Sequence, residues 1–206
     1  MYVEIKHPCV QHKLGILRNK HTEHKQFREL ATEVTMFVCY EALKHLEVKE
    51  IMVETPLCQT LCYKITDDVL VVPILRAGIS MLDGILSIVP TARVGFVGVY
   101  RDQKTKKPIE YYKKFPEATD NTLCIVVDPM LATGGSIVAT LDLLKKHGLK
   151  RAIVVCIVTC PEGISVVEQA YPNVPIYAAS VDKRLDENKY IVPGLGDAGD
   201  RLYGTL

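Results

Sequence analysis

The stretch from Asp128 to Ser136, which reads DPMLATGGS, brings an acid, two glycines and two hydroxyls together. Gly134 and Gly135 allow the backbone to approach a ligand closely, and a helix that begins here presents free N–H groups and its positive dipole end. The hydroxyls of Thr133 and Ser136 add hydrogen-bond donors. This combination predicts a phosphate cradle, with Asp128 near enough to accept hydrogen bonds from sugar hydroxyls. The alternative is a tight turn from strand to helix, with Thr133 or Ser136 as an ordinary helix cap.

Two arginines bring positive charge to the same region. Arg76 comes directly after the apolar run Val69–Leu75, and Arg101 comes directly after the run Arg93–Tyr100. Because ligands of parallel α/β sheets bind outside the carboxyl ends of the strands, we expect both side chains near the cradle. Guanidinium groups suit phosphate oxygens, so this arrangement predicts a substrate with several phosphates. For Arg76 the alternative is a solvated charge at the end of a strand.

Alternating strands and helices must position these residues. Near-continuous apolar runs, typical of strands buried on both faces, lie at Val69–Leu75, Arg93–Tyr100, Leu123–Val127, Ala152–Thr159 and Pro175–Val181. Helical spacing of apolar residues is found after the N-cap candidate Thr22 as far as about Leu46, and at Ser80–Ile88, Gly135–Lys146 and Pro161–Ala170. Short strands are expected around Ile51–Thr55 and Thr60–Ile65. The alternation predicts an α/β fold in which helices flank a parallel sheet.

The composition limits the classes of function. The 206 residues suffice for one domain with a sizeable core, and no Ser/Gly-rich linker divides them. Lys and Arg number 25 and Asp and Glu 24, and this net charge of +1 gives no support to a broad surface for nucleic acid or membrane. No apolar run approaches ~18 residues, and the N-terminus lacks the pattern of a signal peptide, so we expect a cytoplasmic protein. The seven cysteines are odd in number and do not suggest a disulfide framework.

Two segments stand outside this pattern. The stretch Arg101–Lys114 is polar, basic and interrupted by Pro108, which predicts a projecting, flexible arm over 101–115 rather than core. The stretch Tyr190–Asp200, which reads YIVPGLGDAGD, is rich in glycine but also carries Ile191 and Leu195. These apolar residues favour a folded flap over the ligand crevice, where its glycines would present backbone groups to a flat polar ligand.

These strings together resemble one known family. The stretch DPMLATGGS is similar to the signature that binds phosphoribosyl pyrophosphate (PRPP) in type I phosphoribosyltransferases, in the form used by uracil phosphoribosyltransferases. Enzymes acting on purines or orotate usually have two adjacent acids here, whereas Pro129 follows Asp128 in this chain. Further strings that resemble the uracil family are VVPILRAG at 71–78, VYRD at 99–102, CPEGI at 160–164 and YIVPGLGDAGDRLYGT at 190–205. The resemblance covers nearly the whole chain and implies one domain over 1–206, with a uracil-binding hood over 183–206.

The resemblance also implies an activity and a set of site residues. The activity is transfer of the 5-phosphoribosyl group of PRPP to N1 of uracil, which gives UMP and diphosphate in pyrimidine salvage. The implied catalytic residues are Arg76, Arg101 and Asp128. The implied PRPP contacts are Arg76, Arg101, Asp128, Pro129, Met130, Leu131, Ala132, Thr133, Gly134, Gly135, Ser136 and Asp197. The implied uracil contacts are Ile191, Gly196, Asp197 and Ala198.

Family members use Mg²⁺, which the resemblance places mainly on the substrate diphosphate rather than on a protein metal site. Some bacterial members are activated by GTP, so GTP is a candidate allosteric activator here. The amphipathic first helix and the hairpin over 51–65 predict at least a homodimer. Three alternatives stay open: a phosphoribosyltransferase for another base, a PRPP-sensing RNA-binding regulator of the same fold, and an inactive interaction module. The near-neutral charge and the Asp-Pro pair speak against the regulator.

Overall fold

The computed structural model describes residues 1–101 and 108–205. The strands are β1 (Tyr2–Glu4), β2 (Val48–Glu54), β3 (Gln59–Ile65), β4 (Asp68–Leu75), β5 (Arg93–Val94), β6 (Phe96–Arg101), β7 (Pro108–Lys114), β8 (Thr122–Val127), β9 (Met130–Leu131), β10 (Arg151–Thr159), β11 (Ile176–Val181), β12 (Arg184–Leu185) and β13 (Ile191–Val192). The α-helices are α1 (Pro8–Arg18), α2 (His24–Ala42), α3 (Leu82–Ile88), α4 (Gly135–Lys146), α5 (Pro161–Ala170) and α6 (Ala198–Tyr203). Short 3₁₀ helices cover Leu43–His45 and Ala77–Met81.

The main sheet has the strand order β1-β11-β10-β8-β4-β6-β7, with β5 beside β4 and β9 beside β10. Within the described part of this sheet, neighbouring strands are parallel except at the edge, where β7 runs antiparallel to β6. The predicted α/β fold with a parallel sheet is thereby confirmed. In this order β8, β4 and β6 are neighbours, so the residues that follow these three strands meet at one edge.

The sheet is covered on both faces, which accounts for its continuous apolar runs. Along β8, Ile125 and Val127 belong to the core cluster that includes the apolar residues of α2. Cys124 and Val126 belong to the opposite cluster, which includes the apolar residues of α4. All six residues of β8 are buried, as expected for a strand between two layers of helices. Within the described ranges, no helix is long and apolar enough to cross a membrane.

The structure differs from the sequence prediction at the start of the chain. β1 and α1 were not predicted; β1 is a three-residue edge strand parallel to β11, too short to show a periodicity. Thr22 was wrong as the N-cap of α2, because the cap residue is Glu23. The Thr22 hydroxyl instead donates to the Ile16 carbonyl at 2.6 Å, which ties the connection to α1. α2 ends at Ala42 and continues directly into the 3₁₀ helix Leu43–His45.

Part of the predicted arm is a strand. Residues 108–114 form β7, which pairs with β6 at the sheet edge through a register shift at Gly98 and Val99. An edge strand faces solvent and carries polar and charged residues, so its composition hides it from a search for apolar runs. The basic residues Lys104, Lys106 and Lys107, which were predicted to belong to the arm, lie outside the described residues.

Candidate active site

The loop from Asp128 to Ser136 joins the end of β8 to the start of α4, as predicted. Gly134 is the N-cap residue and has a φ of 79°, a left-handed conformation that favours glycine. A Cβ at this position would lie 2.9 Å from the Val166 side chain, so packing demands glycine as well. The ordinary cap by Thr133 or Ser136 is therefore wrong. Since no side chain caps α4, the N–H groups of its first turn remain available for an anion.

Two hydrogen bonds join this loop to the carboxyl end of β10. The Thr159 hydroxyl donates to the Leu131 carbonyl at 3.0 Å, and the Cys160 thiol donates to the Ala132 carbonyl at 3.4 Å. In a trans peptide the N–H points away from the C=O of the same bond. The amides of Ala132 and Thr133 therefore point away from Thr159 and Cys160. This orientation suits a phosphate held by backbone N–H groups.

Asp128 is a half-buried carboxyl group directly after β8. Burial raises its pKa to about 7, although the Met130 N–H, 3.4 Å from Oδ1, lowers the pKa slightly. A cation beside this carboxyl group would restore its ionised form. No cluster of three or more His, Cys, Asp or Glu side chains suited to a metal ion occurs within residues 1–101 and 108–205. A divalent cation at Asp128 would therefore take most of its ligands from water and substrate oxygens, a coordination that Mg²⁺ accepts.

Arg76 follows β4 through a cis peptide bond with Leu75. Its side chain is 60% exposed, and the carboxylate of Asp200 lies 3.9 Å away. Two residues on, a Cβ at Gly78 would lie only 2.6 Å from the Val127 carbonyl, so this turn packs against the end of β8 immediately before Asp128. The structure thus places the turn 76–78, called the Arg76 turn below, beside the loop 128–136, called the phosphate loop after its predicted ligand. Arg101 ends the neighbouring strand β6, and its side chain lies outside the described part of the structure.

The predicted hood is folded. Its strands β12 and β13 form an antiparallel pair, and the helix α6 follows. Ile191 and Ala198 are buried, whereas Gly196 and Asp197 are exposed, so the first two can offer a ligand mainly backbone groups. Asp197 is the N-cap of α6 and accepts a hydrogen bond from the Asp200 amide at 3.0 Å.

The hood contacts the Arg76 turn. The Tyr203 hydroxyl donates to the carbonyl of Arg76 at 3.1 Å. The guanidinium of Arg76 faces Asp200 of the same helix. The hood, which is predicted to bind uracil, and Arg76, which is predicted to bind PRPP, therefore meet at the carboxyl ends of the strands.

Sequence reasoning missed the residues that attach the hood to the helices α1 and α2. Arg201 donates to the carbonyls of Leu17 at 2.7 Å and Leu195 at 2.9 Å, and its guanidinium lies 4.3 Å from the centre of the Phe27 ring. Arg18 makes a second attachment at Gly194. No spacing in the sequence marks these pairs, although a cation inside an apolar, glycine-rich segment is an unusual choice for a solvated tail.

A cavity of about 1100 Å³ lies at the other end of the sheet, where β8 and β10 begin, and Lys150 and Arg151 are among its lining residues. The Lys150 ammonium binds the Asp120 carboxylate at 2.6 Å, and Arg151 binds Asp67 at the same distance. Because acids compensate these two cations, they offer little to a substrate with several phosphates. The end with the Arg76 turn is the better candidate.

A family model described as uracil phosphoribosyltransferase matches residues 4–205. This chain belongs to the uracil phosphoribosyltransferase family. Two proteins named uracil phosphoribosyltransferase show the same relationship: that of Symbiobacterium thermophilum is 51% identical over 204 residues, and that of Streptococcus mutans is 52% identical over 202 residues. Each alignment covers 98% of this chain. It covers 98% of the Symbiobacterium thermophilum protein and 97% of the Streptococcus mutans protein. The resemblance found in the sequence is confirmed over nearly its full length.

Solved structures place the chain in the same fold. A protein from Aquifex aeolicus superposes with a TM-score of 0.93 at 37% identity, covering 100% of this chain and 99% of that one. An adenine phosphoribosyltransferase (APRTase) of Giardia lamblia, solved with 9-deazaadenine, has a TM-score of 0.51 at 14% identity, covering 75% and 80%. The second likeness concerns the fold alone. Together with the uracil phosphoribosyltransferase match, these structures support the type I phosphoribosyltransferase fold.

The contact between the first turn of α5 and the phosphate loop can be tested by substitution. A Cβ on Gly163 would lie 2.5 Å from the Ala132 carbonyl oxygen and 2.7 Å from that of Leu131. We expect Gly163→Ala to displace the loop and to raise KM for PRPP about tenfold, with a smaller change in KM for uracil, as steady-state kinetics would measure. Gly15→Ala in α1 is the control, because its Cβ would meet no atom within 4 Å. Equal KM values for PRPP in both variants would contradict this contact.

Proposed function

We propose that this chain transfers the 5-phosphoribosyl group of PRPP to N1 of uracil, releasing diphosphate and giving UMP for pyrimidine salvage. Its membership of the uracil phosphoribosyltransferase family over residues 4–205 supports this pentosyltransferase activity. The observation that carries it structurally is the meeting of the phosphate loop, the Arg76 turn and the hood at one edge of the sheet. A base on the hood would thereby lie next to a sugar phosphate on the loop.

The chemistry follows from these residue types. As the bond between C1 and the diphosphate oxygen breaks, positive charge grows on the ribose ring and negative charge grows on the leaving group. Uracil N1 then forms the new bond to C1, and its proton passes to the released diphosphate. Such a reaction needs positioning and charge neutralisation more than covalent help. We assign neutralisation of the leaving group to Arg76 and Arg101, and binding of the ribose hydroxyls to Asp128, whose carboxylate also favours the cationic ring.

The remaining PRPP contacts are assigned to the loop and the hood. The first turn of α4 would hold the 5′-phosphate through its amides, with the hydroxyls of Thr133 and Ser136 beside them. The loop backbone over 129–132 would line the same ligand. Asp197, exposed at the start of α6, would face the phosphoribosyl group from the hood.

Uracil recognition is assigned to backbone groups of Ile191 and of residues 196–198. Uracil presents two carbonyl acceptors and one N3–H donor in a plane, which backbone amides and carbonyls can match. Cytosine has an amino donor and an N3 acceptor in the corresponding places, so the same backbone groups would be left unpaired. Since unpaired buried polar groups are costly, this pattern selects uracil.

Two ligands beyond the substrates belong to the proposal. Mg²⁺ fits Asp128 as a carboxylate ligand beside substrate oxygens, and when bound it would neutralise charge on the leaving diphosphate. GTP is proposed as an allosteric activator on the family resemblance alone. We further propose a cytoplasmic enzyme that binds neither nucleic acid nor membrane, in keeping with its net charge of +1.

The deciding experiment is UMP formation from uracil and PRPP with Mg²⁺, repeated with EDTA and with GTP. We expect UMP with uracil and loss of activity with EDTA. Cytosine, orotate and hypoxanthine, tested in parallel, should give no product. Turnover of another base without uracil turnover would favour a different phosphoribosyltransferase. RNA binding without any turnover would favour the regulator.

We also propose that the chain forms at least a homodimer. The hairpin of β2 and β3 stands apart from the main sheet, and an isolated two-stranded hairpin is marginally stable in water. Its cross-strand neighbours Met52 and Leu61 are 62% and 50% exposed, and Tyr63 is 67% exposed. Tyr40 on α2 is 66% exposed as well. Apolar side chains exposed to this degree support an interaction surface here, and a second copy of the chain is the simplest partner.

Light scattering at micromolar concentration is expected to give at least twice the chain mass. Leu61→Glu should shift the protein towards monomer, because it places a charge among these apolar residues. Lys64→Glu is the control, since Lys64 pairs with Lys49 on the opposite face of the hairpin. A wild-type monomer would refute the proposal.

A further inference from the structure

Beneath the hood, Arg18 at the end of α1 and Asp182 after β11 form an ion pair. Arg18 Nη2 lies 2.5 Å from Asp182 Oδ1, and Nη1 lies 2.8 Å from Oδ2. The Asp182 side chain is only 3% exposed and that of Arg18 is 23% exposed. This bidentate geometry fixes both partners in direction as well as in distance.

The ion pair holds both backbone polar groups of Gly194. The Gly194 N–H donates to Asp182 Oδ2 at 2.8 Å, and Arg18 Nη1 donates to the Gly194 carbonyl at 2.8 Å. The Ser180 hydroxyl donates to the other carboxylate oxygen at 2.8 Å. Burial alone raises the pKa of Asp182, but the hydrogen bonds from Arg18, Ser180 and Gly194 bring it below its ordinary value. The carboxylate is therefore ionised at neutral pH and able to accept all of these bonds.

Gly194 occupies a critical point in the hood. It lies between Ile191 and the segment 196–198, the two places assigned to the uracil contacts. Its φ is 58°, and a Cβ there would lie 2.1 Å from the Ile191 carbonyl oxygen, so this turn brings the chain directly back against Ile191. A shift of Gly194 would thus move the backbone groups on both sides of it.

We propose that Arg18 and Asp182 are positioning residues for base recognition. They fix Gly194 and so hold the backbone groups that pair with uracil, without contacting the substrate themselves. This inference rests on the proposed uracil phosphoribosyltransferase activity. The phosphate loop draws its support from the Thr159 hydroxyl, the Cys160 thiol and the contact with Gly163. Asp182 reaches Thr159 only through its backbone N–H, which donates to the Thr159 carbonyl at 2.7 Å, so a change of the carboxylate leaves this bond in place. The effect should therefore fall on uracil rather than on PRPP.

The test compares KM for the two substrates in variants of the pair. Asp182→Asn removes the charge and one acceptor site, and we expect KM for uracil to rise about 10- to 100-fold while KM for PRPP stays within about twofold. Arg18→Lys keeps the charge but loses the planar fork that reaches Asp182 and Gly194 together. Arg18→Lys should raise KM for uracil about tenfold and leave KM for PRPP within about twofold.

The pair of Arg151 and Asp67 offers a matched control at the opposite end of the sheet. Its carboxylate is 1% exposed and its guanidinium 31% exposed, with Nη1 2.6 Å from Oδ1. Asp67→Asn should lower the melting temperature by an amount similar to Asp182→Asn, because both remove a buried charge partner. It should leave both KM values unchanged. A general loss of stability would affect the two variants alike, whereas a positioning role separates them.

The outcomes distinguish this inference from the function on which it rests. If the wild-type protein forms no UMP, the proposed function fails whatever the variants do. If the wild type is active and Asp182→Asn raises both KM values equally, or leaves KM for uracil within about twofold, the positioning role is overturned. Should Asp182→Asn fail to fold, Arg18→Lys decides in the same way.

Discussion

Replacing Arg76 with alanine is expected to lower kcat/KM by about 10²- to 10³-fold, the usual effect of removing a preorganised charge from a reaction centre. The guanidinium stands at the carboxyl end of β4, 60% exposed, with Asp200 at 3.9 Å. An arginine that makes so weak an ion pair contributes little to the fold. Because it lies beside the phosphate loop, we assign it to the diphosphate of the substrate. The melting temperature of the variant should stay close to that of the wild type.

Arg76→Lys is the companion variant for this prediction. It keeps the positive charge but not the planar fork, so we expect it to recover part of the lost kcat/KM. Arg93→Ala gives a contrast at the other end of β4, where the guanidinium is bound by the Asp68 carboxylate. That variant should lose stability and keep its turnover. Wild-type kcat/KM in Arg76→Ala would remove Arg76 from the mechanism.

Asp128→Asn is expected to lower kcat/KM for PRPP about 100-fold and, at the same time, to stabilise the ligand-free protein at neutral pH. Activity falls because the amide no longer places a negative charge beside the developing cationic ring. KM for uracil should change less than the parameters for PRPP. Stability rises because partial burial of the wild-type carboxyl group disfavours its ionised form.

The pH dependence of this stabilisation has a defined sign. The folded-state pKa of Asp128 is raised to about 7, above the ordinary value near 3.9. Between these values the unfolded chain is ionised and the folded chain is protonated, so rising pH favours unfolding. The difference in unfolding free energy between Asp128→Asn and the wild type should be near zero at pH 4. It should grow to at most about 4 kcal/mol above pH 7, since each pKa unit corresponds to 1.36 kcal/mol.

Thermal unfolding at several pH values, without ligand, measures this difference. Adding PRPP and Mg²⁺ should raise the melting temperature of the wild type more than that of the variant. A variant that is less stable than the wild type at pH 8 would contradict the raised pKa of this carboxyl group. An unchanged kcat and KM for PRPP would overturn the assignment of Asp128 to the ribose.

Much of the fold is readable from the sequence where local signals are strong. The helices predicted at Gly135–Lys146 and Pro161–Ala170 are found with those bounds, because a Gly-Gly start and a Pro start mark their first turns. The buried strands are found within a few residues of the apolar runs. Among the elements that were missed or misassigned, β1, α1 and β7 lie at edges or surfaces. There, tertiary pairing rather than composition determines the structure.

The phosphate loop is the part of this protein that the sequence determined by itself. The helix start at Gly135 and the loop before it depend mainly on neighbouring residues along the chain, so nine consecutive letters suffice to predict them. The contact of Gly134 with Val166 is tertiary and is not visible in those letters. The support of that loop and of the hood was decided only by the tertiary structure. Arg18 and Asp182 are 164 residues apart, and a hydrogen bond between such distant residues leaves no spacing pattern to read. It forms because the fold brings the end of α1 and the end of β11 to the same buried place.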